Sequence, residues 1–217
     1  SFSIQSEQQI SATLGAEQLK VGILTGLIGL LLVFVYSLFQ YRLLGFVTMA
    51  SLVVAGIISY EAIVLLGWAL NYRLSLAGVA GLIVAIGATA DSFIVYFERI
   101  RDEIRAGRTI PAAVSHGWKR ASRTILASKA VNLLAAVVLY VVSVGSVKGF
   151  AFTLGLTAIA DLVVVYLFTH PALTLLANTR YFGEGHRHSG LSPESLGAAP
   201  LYRGAGRFRS SKEPTLS

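Results

Sequence analysis

Four ionisable side chains stand inside otherwise apolar runs of this chain: Glu61, Asp91, Lys129 and Asp161. Asp91 is the most demanding of them. It falls within GLIVAIGATADSFIVYFERIRDE, about midway along an apolar run, with little beside it except Ala, Gly, Ile and Val. An Asp at the centre of a membrane helix costs roughly 2.5–3.5 kcal/mol on insertion scales, so its presence implies a pathway for protons or ions, or a buried partner. A carboxyl removed from water, with no fixed cation beside it, favours its neutral form and ionises when water reaches it. That is the behaviour of a proton carrier, and Asp91 is the candidate proton relay. The plainer reading is a neutral Asp that joins helices by hydrogen bonding.

The neighbours of Asp91 decide what is expected of it. Ala77, Gly81, Ala85, Ala88 and Ser92 form a small-residue stripe beside it. Small stripes let helices approach closely, so this face is expected to be buried, with Asp91 turned inward. Asp161, in LTAIADLVVV, lies near Thr157 and is a candidate for the same interior network. Lys129, in LASKAVNLL, stands about one turn inside its run, so its stem is expected to snorkel to the interface as an anchor. Glu61 lies nearer the opposite face, in a position expected to be partly solvated. Asp161, Lys129 and Glu61 are thus secondary candidates, for a relay or a polar network.

The elements that carry these residues follow from composition. The 217 residues are 54% hydrophobic and 13% charged, with a mean hydropathy of +0.68. Five apolar runs, at 21–39, 44–67, 74–100, 124–145 and 150–176, are long enough to cross a hydrocarbon core, which takes about 20 helical residues. Backbone polar groups cannot go unpaired in lipid, so each run must be a helix. The expected fold is an all-α membrane protein, a bundle of five transmembrane helices over residues 21–177. Cysteine is absent, which excludes disulfides and thiol chemistry.

Lys and Arg set the expected orientation, because cytoplasmic loops retain them. Arg42 lies between the first two runs, seven basic residues from Arg99 to Arg123 lie between the third and fourth, and six from Arg180 to Lys212 follow the fifth. The other side carries Lys20, Arg73 and Lys148. The N-terminus is therefore expected outside and the C-terminus in the cytoplasm, with an earlier transmembrane helix upstream. The net charge of +7 follows from this asymmetry, and no nucleic-acid partner is needed to explain it, since basic residues at membrane ends favour anionic lipid. Residues 1–20 contain no signal peptide and are expected to close an extracytoplasmic domain. Residues 101–123 are expected to form a cytoplasmic elbow: i, i+3 and i, i+4 pairs such as Asp102 with Arg105 and Arg99 with Glu103 extend the third helix into water. Gly107 ends it, and Thr109 with Pro111 starts a surface helix bearing Trp118. Residues 178–217, rich in Gly, Ser, Pro and Arg, are expected to be a disordered basic tail.

Enzymatic signatures are missing. Walker A, G-x-S-x-G and H-E-x-x-H do not occur, so any work done draws its energy from elsewhere. The His186-x-His188 pair is a weak metal signal in the tail, and His116 and His170 fall at membrane edges. No metal and no cofactor is expected.

Three segments carry a family resemblance: QQISATLGAEQLKVGILTGLIGLLLVFVYSLFQYR, GLIVAIGATADSFIVYFERIRDEIRAGR and GSVKGFAFTLGLTAIADLVVVYLFTHP. From about Gln9 to Phe182 the chain resembles the C-terminal half of the SecD members of the SecD/SecF family, protein-export subunits of the RND transporter superfamily. The resemblance implies half of an RND-type transmembrane domain in a bacterial cytoplasmic membrane, preceded by a first helix and a large external domain. It implies SecF and the SecYEG channel as partners, with SecA and YajC as further candidates, and unfolded preprotein as the substrate. It also implies protons as the coupling ion, with the acid of the family's FERIRDE segment, here Asp91, in proton conduction. Lys129 departs from the family, where that region is more often polar or acidic. Three other readings remain: a proton-driven exporter of small molecules or lipids, an intramembrane aspartyl protease using Asp91 and Asp161, and a passive scaffold in which Asp91 only joins helices.

Overall fold

The computed structural model describes residues 12–70, 75–183, 189–193 and 196–197. Helix α1 (Ala12–Tyr41) is followed by α2 (Leu44–Leu70), α3 (Leu76–Arg105), α4 (Ile110–Val142) and α5 (Ser146–Val164). Helix α5 runs through a π-helical segment, Val165–Thr169, into α6 (His170–Ala177), and the short α7 (Arg180–Gly183) follows. No strand occurs among the described residues, and five helical stretches are long and apolar enough to cross a membrane. The all-α bundle follows from the chemistry of lipid, in which a helix alone satisfies its own backbone.

Local signals explain where the helices stop. Arg42 turns the chain from α1 into α2 with a φ of 53°, and Gly45 lies where a Cβ would come to 2.9 Å of the backbone of Ser37 and Leu38. Ser75 caps α3, its hydroxyl accepting from the Gly78 N–H at 3.2 Å. Gly107, with a φ of 85°, closes α3, and Pro111 stands in the first turn of α4, where its missing N–H costs nothing. Within the last span, Pro171 supplies no N–H, and His170 donates instead to Val165 O five residues back, the widened turn of a π-segment.

Helix α3 is the central element. It packs on α1, α4 and α5, while α2 packs on α1 and α5. The small stripe makes this possible: Gly81, Ala85 and Ser92 are buried, and a Cβ at Gly81 would collide with Thr153 Oγ1 of α5. At the charged end of the bundle, Phe93, Tyr96, Phe97, Ile100 and Ile104 fill the interior against Ala113, Val114 and Tyr41.

Several boundaries differ from the sequence expectation. The region 101–123 is not a separate elbow: α3 continues to Arg105, the turn is confined to 106–109, and α4 is one helix of 33 residues without a break near 124. At 1.5 Å per residue α4 is about 50 Å long, so one end extends well past an apolar core of about 30 Å. Residues 12–20 continue α1 directly, and residues 1–11 lie outside the described set. Part of the tail is packed, not free: Leu191 is 2% exposed in the core cluster. Gly190, with a φ of 82°, sits so close to Tyr41 O that no Cβ fits. Residues 184–188, with His186 and His188, and 198–217 lie outside the described residues.

Candidate functional site

The polar centre of the bundle is built by three helices. Asp161 on α5 is 3% exposed and Lys129 on α4 is 2% exposed, and Lys129 Nζ lies 2.6 Å from Asp161 Oδ2. Lys129 also donates to the Ala88 carbonyl of α3 at 2.9 Å, and the Thr89 hydroxyl, on the same helix, donates to Asp161 Oδ1. Each charge is thereby both paired and hydrogen-bonded, the condition under which burial of two ions is tolerable. Asp161 and Thr89 also face a cavity of about 240 Å³ between α1, α2, α3 and α5, whose polar lining includes Ser59, Tyr60 and Thr157.

Lys129 is therefore not a snorkelling anchor. Its place is 19 residues past the start of an unbroken α4, not one turn inside the bundle, and a carboxylate stands at matching depth on α5. Turning the stem inward satisfies both charges, whereas an unpaired Asp161 would carry a desolvation penalty of several kcal/mol.

Asp91 is placed differently from expectation. Gly81, Ala85 and Ser92 of the stripe beside it are buried and Ala77 and Ala88 half-buried, but Asp91 itself is exposed, on a face it shares with Ala80, Val84 and Gly87. The reason is angular: successive residues of a helix are about 100° apart, so Asp91 lies one step round from the buried Ser92 and about 200° from Thr89, which points to Asp161. Among the described residues Asp91 makes no ion pair and no side-chain hydrogen bond. Asp91 and Asp161 are thus not brought together: Asp161 meets α3 at Thr89, nearly opposite Asp91, and is committed to Lys129. Such an arrangement does not form the paired acids that an aspartyl protease uses to activate water. Glu61 on α2 is exposed and joins neither group.

The FERIRDE charges form a second polar layer at one end of α3. Arg101, 8% exposed, donates to the Gln40 carbonyl of α1, bonds Glu98 at 3.2 Å and covers the Tyr41 ring at 4.4 Å. Glu103 binds Arg108 at 2.6 Å and Arg120 of α4 at 3.3 Å, while Asp102 binds Arg105 at 3.0 Å. Glu103 goes to these two arginines in place of the expected Arg99. This layer ties the end of α3 to both α1 and α4.

Three features were not legible in the sequence. Thr89 and the Ser51–Thr169 hydroxyl pair, 2.9 Å apart between α2 and the π-segment, gave no pattern beyond being polar in apolar runs. His170 stacks on Trp118, with centroids 4.3 Å apart, and its Nδ1 lies 2.9 Å from the Tyr96 hydroxyl. His116 is exposed, with Nδ1 3.0 Å from Ala112 O. Among the described residues no cluster of His, Cys, Asp and Glu has the makings of a metal site.

The comparison with known proteins fits this architecture. The model of the protein export membrane protein SecD/SecF C-terminal region matches residues 1–179. The chain belongs to the SecD/SecF family. A protein translocase subunit SecD from Streptomyces coelicolor is 55% identical over 202 residues, 93% of this chain and 35% of its own length. One from Mycobacterium tuberculosis is 52% identical over 206 residues, 95% of this chain and 33% of its own. The chain thus spans about a third of the length of these SecD relatives. The crystal structure of a Thermus SecDF, described as a translocon-associated membrane protein, matches with a TM-score of 0.70 at 34% identity, over 78% of this chain and 23% of that one. A super-membrane-facing form of SecDF matches at 0.67 and 33% identity, over 76% of this chain and 22% of that one. The five-helix bundle is part of a SecD/SecF family membrane protein.

Proposed function

We propose that this bundle is the energy-coupling membrane part of an accessory subunit of the Sec protein-export machinery, which uses the proton-motive force to promote preprotein translocation. The observation that carries the reading is Asp91: an unpaired carboxylate near the middle of a membrane-spanning helix, on the open face of the bundle. An intramembrane ionisable group is costly and marks a proton or ion path by default. The relatives named as translocase subunits, and the translocon-associated SecDF, supply the process that the proton step would serve.

In this reading the open face of α3 is covered by the partner half, SecF, which completes an RND-type domain beside the SecYEG channel, with SecA and YajC as further partners. Protonation removes the charge of Asp91 and lets its face repack; deprotonation reverses this. The charged layer around Arg101 and Glu103 holds one end of α3 to α1 and α4, so repacking is felt toward the other end, where α1 leads out of the membrane. One proton crossing the membrane yields about 2.3 kcal/mol per 100 mV, enough to bias states that differ by a few kcal/mol. The distribution of Lys and Arg supports an N-terminus outside and the Arg101–Glu103 layer in the cytoplasm. In this reading protons move down their gradient and no substrate is chemically transformed, so the subunit acts as a transport component.

The test is preprotein export in membranes that contain or lack the intact protein, with the proton gradient intact or collapsed by an uncoupler. A gradient-dependent increment seen only when the protein is present supports the reading. An equal response to the uncoupler with and without the protein refutes it, and efflux of a small molecule in place of export points to the exporter.

A further inference from the structure

The Lys129–Asp161 pair is more specifically aimed than helix packing requires. Both of its charges reach α3, and they reach it at consecutive residues: Lys129 Nζ takes the Ala88 carbonyl at 2.9 Å, and Asp161 Oδ1 takes the Thr89 hydroxyl. Ala88 and Thr89 lie three and two residues before Asp91, within one turn. The Ala88 carbonyl is further shared with the Ser92 hydroxyl, at 3.4 Å, and Thr89 with the Ala85 carbonyl, at 2.8 Å. The pair therefore grips α3 by backbone and side chain, at Thr89 nearly opposite Asp91 and at Ala88 about 60° round the helix from it. The charges match one to one and each is hydrogen-bonded, the condition under which a buried pair is tolerable.

We infer that Lys129 and Asp161 form a fixed charge pair that positions the turn of α3 presenting Asp91, acting through Ala88 and Thr89. They are positioning residues for the proton step, in contrast to a second relay, and the inference rests on the proposed role of Asp91. Rotation of a turn by one residue's worth carries a side chain about 100° round the helix, so small losses of grip at 88–89 are felt directly at 91.

The experiment reads Asp91 itself, in the intact protein with its membrane partner in lipid vesicles. The infrared carbonyl band of the protonated Asp91 carboxyl is assigned by its loss in Asp91→Asn and then followed in three kinds of variant. Thr89→Val keeps both charges and removes one of the two holds on α3. Lys129→Met with Asp161→Leu removes the pair at similar volume, so the protein has reason to fold. Lys129→Arg retains a cation, and Thr153→Val removes another buried hydroxyl of the bundle, one bonded only within α5. The inference requires a shifted Asp91 band in Thr89→Val and in the double variant, with the native band in Lys129→Arg and Thr153→Val. An unmoved band in both of the first two overturns it, as does an equal shift in Thr153→Val, which would make the band a report on general packing. The band does not depend on export, so normal export by Asp91→Asn would remove the transport reading while leaving this result legible on its own.

Discussion

Removing Asp161 alone should be far more harmful than removing Asp161 and Lys129 together. In Asp161→Leu the Lys129 ammonium keeps one partner, the Ala88 carbonyl, in a site where the side chain is 2% exposed. A lone Lys at a helix centre costs roughly 2.5–3.5 kcal/mol on insertion scales, and breaking a buried pair costs about 3–5 kcal/mol. The ranges meet near about 3 kcal/mol, more than a hundredfold in the folding equilibrium. The double change Lys129→Met, Asp161→Leu removes both charges and fills the space with apolar volume, and should lie within about 1 kcal/mol of the native protein. The assay is a double-mutant cycle on detergent-solubilised protein, followed by denaturant unfolding, with membrane abundance as a second reading. If Asp161→Leu is as stable as the double variant, the ammonium is not confined as described, and the reasoning fails.

Other expectations follow from the same contacts. Gly81→Val places a methyl-bearing Cβ on Thr153 Oγ1 and within 3.1 Å of Phe150 O, so α3 and α5 must part, at a cost of about 1–3 kcal/mol visible as a lower Tm. Glu103→Gln gives up Arg108 and Arg120, whose side chains are 45% and 69% exposed, so the loss should be only about 1 kcal/mol and should shrink in high salt. Glu61→Gln, at an exposed position, should change stability by less than about 0.5 kcal/mol and leave export at its normal rate; a clear export defect would bring Glu61 into the site.

The helices were legible because lipid imposes one rule on every apolar run, and each of the five runs became a spanning helix. Their ends were less legible. The helix-forming residues of 110–123 join the apolar run after 124 with nothing to break it, so the segment read as an elbow is the first part of α4. The buried stripe on α3 was visible as spacing, yet which way Asp91 points depends on which helices flank α3, and a difference of one residue from Ser92 decides it. Lys129 and Asp161 are 32 residues apart, and only the packing of α4 on α5 brings them to one depth. Depth judged from run boundaries misplaced Lys129 because the run began later than the helix. His170 and Trp118 met for the same reason: a π-segment ahead of Pro171 sets the rotation of the last helix, and no residue pattern announced it.

If the proposed proton path runs through the Asp91 carboxyl, the rate of gradient-driven preprotein export in the intact complex must respond to Asp91→Asn and Asp91→Glu. The gradient-dependent increment is expected to be lost with Asn and partly retained with Glu, at unchanged protein level. Full gradient-driven export by Asp91→Asn would contradict the proposed path.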